Sequence, residues 1–222
     1  MRLESAPGPT TRQHDPAWAW MIGALGGALA LAVVILAAYG TGPDGLRLGI
    51  RLTARWSFLF FWLSYAGGAL AVLFGPAFAG LARRARAFGL AFAAAIQTHI
   101  GLVAWLGVVT VQVPLQGGVL WFFLVALALT YLLATLSFGI GIRTLGRLWR
   151  PLLVLATTYI LIAFGRDFVL GALSPKTQDW LYAAEYVPFA LLSLIAIPLR
   201  LAAFLRRRFG LRSATVLRTP TN

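Results

Sequence analysis

Long apolar stretches, separated by short polar segments that carry most of the arginines, set the pattern of this chain. Six stretches stand out, at 17–39, 56–81, 88–111, 119–140, 151–170 and 180–205. Each is about 20 residues or longer, enough at about 1.5 Å per residue to cross a hydrocarbon core of about 30 Å. None alternates apolar with polar positions as a barrel strand does. A segment surrounded by lipid must satisfy its own backbone hydrogen bonds, so all six are expected as helices. The expected fold class is therefore all-α, a polytopic membrane protein built as a six-helix transmembrane bundle. The bundle occupies 17–205, between a polar segment at 1–16 and a basic tail at 206–222. The first stretch follows Arg2 and Arg12 as a signal core would, but its 23 residues exceed the roughly 7–15 of such a core, and it reads as a retained anchor.

Arginine placement orients the bundle. The two ends of the chain and the second and fourth connections carry fourteen basic residues, whereas the opposite side carries five: Arg47, Arg51, Arg55, Arg166 and Lys176. The richer side is expected to face the cytoplasm. This predicts a multi-pass protein of the bacterial inner membrane with both termini cytoplasmic, its basic tail lying against anionic headgroups.

Composition narrows the function classes. Of the 222 residues, 60% are hydrophobic and 11% charged, against about 25% charged in a soluble domain, so the spans leave no room for a soluble catalytic domain. The net charge of +13 is explained by arginines flanking spans, and no nucleic-acid partner is expected; the lipid bilayer is the partner that composition implies. The absence of cysteine removes disulfides, iron–sulfur clusters and thiol catalysis. No HExxH or serine–histidine–acid pattern is present, so no catalytic residue is assigned. Gly23 with Gly27, Gly67 with Gly68, and Ser137 with Gly141 are spaced for close helix packing.

Three residues inside the spans could carry chemistry. His99 lies about 17 Å into the third segment, near the bilayer centre, where an imidazole either bonds a neighbouring helix, with Gln97 and Thr98 close by, or ligates haem or a metal. No metal ligand set accompanies it. Arg166 lies about 22 Å into the fifth segment and Glu185 about 8 Å inside the sixth, so their depths nearly match across a short loop. They are expected to form a structural ion pair, with Asp167 as a competing carboxylate; snorkelling to the interface and a proton or substrate path are the alternatives. His14, in the polar segment, is expected to be solvated.

The run Thr53-Ala54-Arg55, the turn Arg84-Ala-Arg-Ala-Phe-Gly89-Leu90-Ala-Phe92-Ala93 with His99 nine residues after Leu90, and Leu145-Gly146-Arg-Leu-Trp149-Arg-Pro-Leu152 together resemble the ferric-reductase-like transmembrane family. The likeness is nearest to the branch of haem-bearing membrane subunits that serve bacterial periplasmic methionine sulfoxide reductases, and it covers about residues 50–170. It implies haem b held between helices by histidines, with His99 as one axial ligand, and a membrane or periplasmic redox partner. The two further histidines that the resemblance places on the fifth span fall here on Leu153 and Arg166, neither of which can ligate iron. Met21 is about 14 Å shallower than His99. The expectation is therefore a ferric-reductase-like bundle without haem, acting as a membrane subunit or scaffold. The alternatives are a haem-binding electron-transfer subunit, the nearest the chain comes to an enzyme, and a small transporter or channel lined by Arg166, Glu185 and Asp167.

Overall fold

The computed structural model describes residues 17–111, 116–138 and 140–216. The polar segment 1–16, with His14, and the end of the tail beyond Val216 lie outside the described residues. Among the described residues seven α-helices follow one another: α1 (Ala17–Tyr39), α2 (Pro43–Phe74), α3 (Ala79–Thr110), α4 (Gly117–Ser137), the short α5 (Ile140–Leu145), α6 (Trp149–Ala172) and α7 (Trp180–Val216). Six helical segments among them are long and apolar enough to cross a membrane. The chain is an all-α, multi-pass membrane protein.

Helix ends depart from the apolar stretches for local reasons. α2 starts at Pro43, well before residue 56, because proline in the first turn and Asp44 beside the positive end of the helix dipole favour a start there. It then carries Arg47, Arg51 and Arg55 on a helix that apolarity alone begins later. It stops where Gly75 adopts a φ of 85° ahead of Pro76, a conformation that costs glycine little. α3 likewise starts at Ala79 and holds Arg83, Arg84 and Arg86 in its first turns. α7 runs on to Val216, so the first part of the expected tail is helical.

Packing follows side-chain size. α1 turns Ala24, Ala28 and Ala32 inward, and the Trp56 indole lies across α1 with Nε1 donating to the Ala24 carbonyl at 2.9 Å. A Cβ on Gly27 would come within 2.6 Å of that ring, whereas one on Gly23 would meet nothing within 4 Å. The central cluster is aromatic: Phe58 contacts Phe164 and Phe168 at ring-centroid distances of 5.5 and 4.9 Å, and Phe61 contacts Phe92 at 5.2 Å. Side-chain donors to backbone carbonyls tie helices where lipid supplies no hydrophobic drive. Trp62 Nε1 donates to Leu192 at 2.8 Å, Ser64 to Ala85 at 2.8 Å, and the Tyr159 hydroxyl to Phe122 at 3.1 Å. The outside of the bundle is apolar, with Ile22, Val33 and Val34 on α1 and Leu191, Leu194 and Leu201 on α7 exposed. Trp18, Trp121 and Trp180 stand exposed near helix ends, where indoles favour the headgroup layer.

Candidate functional site

Helices α2, α3, α4 and α6, with the first turns of α7, line a half-open cavity of about 770 Å³ at the end of the bundle that holds Lys176. That volume falls within the roughly 300–1,000 Å³ of small-molecule sites. On α3 the lining runs from Leu106 to Phe92, about 21 Å along the helix, so the cavity is elongated parallel to the spans. Phe92, Ile96, Ile160 and Phe164 close its deep end, and Leu120, Phe123, Leu124 and Leu127 of α4 form one side. The body of the cavity is thus hydrocarbon and ring surface.

Its mouth is charged. Arg47, Arg51 and Arg55 all line the cavity, and their spacing of four places them on one face of α2. Lys176 and Tyr182 stand across from them. Arg47 pairs with Asp44 at 3.1 Å. Glu185 is shared between Arg51 at 3.4 Å and Arg55 at 3.5 Å. Lys176 has no carboxylate partner among the described residues, and Arg51 Nε is buried with no hydrogen-bond partner.

Arg55 is the most constrained of these cations, its side chain only 6% exposed. Nε donates to the Glu185 carbonyl at 2.8 Å and an Nη donates to the Arg51 carbonyl at 2.8 Å. The guanidinium lies 4.5 Å from the Tyr186 ring centroid, a cation–π contact. Pro188 cannot donate to the carbonyl of Ala184, so the continuous helix α7 lacks one backbone hydrogen bond one residue from where Arg55 bonds it. Gly171 of α6 lets Tyr186 approach so closely that a Cβ there would collide with the ring.

His99 lines the cavity from α3. Its Nδ1 lies 3.0 Å from the Ile50 carbonyl on α2; a carbonyl only accepts, so in the neutral ring Nδ1 carries the proton and Nε2 the lone pair. Gln97 and Thr98 do not hold it. Gln97 donates to the Ala93 carbonyl at 2.7 Å and accepts from the Tyr131 hydroxyl at 2.7 Å, while Thr98 Oγ1 is buried without a partner.

The expected pair between Arg166 and Glu185 does not form. Arg166 is exposed and donates to Asp167 at 2.9 Å, and Glu185 is taken by Arg51 and Arg55. Matched depth is not enough, because rotation about the helix decides contact: α6 turns Ile160, Ala163 and Asp167 toward the cavity, a stripe that leaves Arg166 on the side. Apolarity alone leaves Arg51 and Arg55 in a connecting loop. Their spacing of four just before an apolar run is the available signal for a charged helix face. Lys176 carries no signal beyond its charge.

The donor set limits what metal chemistry the cavity could support. Its wall offers the His99 imidazole and, among the described residues, no second imidazole and no sulfur ligand for iron. Leu153 packs into the core cluster outside the cavity, Arg166 faces away, and α1 with Met21 takes no part in the wall. A haem held between two imidazoles does not fit these residues. Comparison of the chain with protein-family models, with curated proteins and with solved structures finds no match.

Proposed function

We propose that the chain is a membrane subunit of ferric-reductase-like architecture that holds an apolar ligand in this cavity and does not carry a bis-imidazole haem. In this reading it lies in the bacterial inner membrane with the Lys176 end outward, as the excess of arginine at the other end favours. The observation that carries the reading is the elongated cavity of about 770 Å³ whose wall, among the described residues, holds one imidazole, His99, and no second. The cavity serves binding better than transport, because Phe92, Ile96, Ile160 and Phe164 line its deep end and Phe61 packs behind Phe92 and Phe164. The test is a visible absorbance spectrum of protein purified from cells supplied with excess haem, followed by solvent extraction and mass analysis of what co-purifies. The expected result is no Soret band and a retained apolar molecule that the cavity-filling variant Leu124→Trp loses. A stoichiometric Soret band that His99→Ala abolishes would overturn the proposal and return the chain to the electron-transfer subunits.

A further inference from the structure

The cavity is apolar in its body and cationic at its mouth, and the charges around the mouth do not balance. Of the side chains lining the wall, four are cations, Arg47, Arg51, Arg55 and Lys176, and two are carboxylates, Asp44 and Asp167; behind the wall Glu185 pairs with Arg51 and Arg55, and Arg166 with Asp167. Two positive charges are in excess. Arg51 adds a guanidinium that is 38% exposed and only shares Glu185 with Arg55. These cations also stand against the charge bias of the chain, since they lie on the side where arginine is otherwise scarce. Below them the α3 wall extends about 21 Å with Val103, Ile100, Ile96 and Phe92 facing inward, a length suited to an extended hydrocarbon chain rather than a compact ring.

We infer that the cavity binds a phosphate-headed anionic lipid of the surrounding leaflet, its headgroup held by Arg47, Arg51 and Lys176 and one acyl chain running down between α3 and α4. The inference rests on the proposed reading of the cavity as a ligand site and names the ligand class. The guanidinium fork of Arg51 suits a phosphate oxygen pair, and Lys176 supplies a point charge from the facing loop. Arg55 stays committed to α7 and acts as a fixed positive floor beneath the headgroup. His99 with a lone pair on Nε2 repels an anion placed against it and tolerates a hydrocarbon chain, which keeps the phosphate at the mouth.

The test uses the full chain in neutral-detergent micelles doped with phosphatidylglycerol or phosphatidylcholine, read by native mass spectrometry and by thermal unfolding. Wild type is expected to retain one phosphatidylglycerol per chain in preference to phosphatidylcholine and to unfold several degrees higher with it. Retention should fall about fivefold for each mouth cation removed, so Arg47→Gln with Lys176→Gln should lose it while leaving unfolding without lipid unchanged, these two being exposed and outside the Arg55 contacts. Leu124→Trp should lose it by blocking the slot. Equal retention of phosphatidylcholine, or full retention in the double charge variant, would overturn the inference. Stabilisation by inorganic phosphate alone as large as that by phosphatidylglycerol would show a bare anion site and also overturn it. Retention of an uncharged apolar molecule instead would sink the lipid assignment yet leave the cavity reading standing, whereas retention of haem would sink both.

Discussion

Replacing Glu185 with glutamine is expected to destabilise the bundle far more than any other single carboxylate change. Arg55 is 6% exposed and Glu185 28% exposed, so the substitution leaves a buried guanidinium without its counter-charge. Breaking a buried pair from one side costs about 3–5 kcal/mol. Here two backbone acceptors and the Tyr186 ring remain to Arg55 and the carboxylate is partly wet, which places the cost at the low end, about 3 kcal/mol. For a chain of this size that corresponds to a fall of roughly 6–12 °C in unfolding temperature. The eight tryptophans supply an intrinsic fluorescence signal for unfolding in detergent. Asp167→Asn is the control: its pair with Arg166 has side chains 39% and 55% exposed and should cost no more than about 1 kcal/mol. Adding Arg55→Met to Glu185→Gln should recover part of the loss by removing the stranded cation. Equal effects of Asp167→Asn and Glu185→Gln, or a coupling between Arg166 and Glu185 in a double-mutant cycle, would refute the assignment of Glu185 to Arg55.

Gly27→Val drives a side chain into the Trp56 ring and should cost about 1–3 kcal/mol, while Gly23→Ala, with open space around it, should gain about 0.5–1 kcal/mol of helix stability; thermal unfolding separates the two signs. His99→Ala removes the hydrogen bond to Ile50 and should cost about 1 kcal/mol, measured by the same scan. Because the chain has no cysteine, single cysteines report topology without background. Gln116→Cys and Lys176→Cys should react with an impermeant thiol reagent added outside intact cells, and Arg83→Cys and Arg147→Cys should not; the opposite pattern would invert the proposed orientation.

Span number and helical class are legible in the chain because an apolar run of about 20 residues matches the bilayer in length and can satisfy its backbone there as a helix. The helix ends at Pro43, Ala79 and Val216 are not, because hydropathy measures contact with lipid whereas helices extend through charged turns into the headgroup layer. His99 is legible as a buried imidazole seeking a partner, but its acceptor is the Ile50 carbonyl, a backbone atom that no residue pattern marks. The ion pairs show the limit most clearly. Depth along a helix follows from residue number at about 1.5 Å each, but which neighbour a side chain meets depends on helix rotation and on which helices adjoin. α7 packs against both α2 and α6, and Glu185 faces α2. The cavity itself has no signature in any one segment, since five helices contribute to it and its volume is set by how they splay.

The measurement that bears most directly on the proposed lipid in the cavity is a cryo-electron microscopy structure of the full chain in nanodiscs of mixed phosphatidylcholine and phosphatidylglycerol, with an antibody fragment bound for alignment. The expected result is elongated density in the cavity, its head within hydrogen-bonding reach of Arg51 and its chain passing His99 toward Phe92 and Ile96. Planar density ligated by His99 Nε2, or side chains of α4 collapsed onto α3 so that no cavity remains, would contradict it.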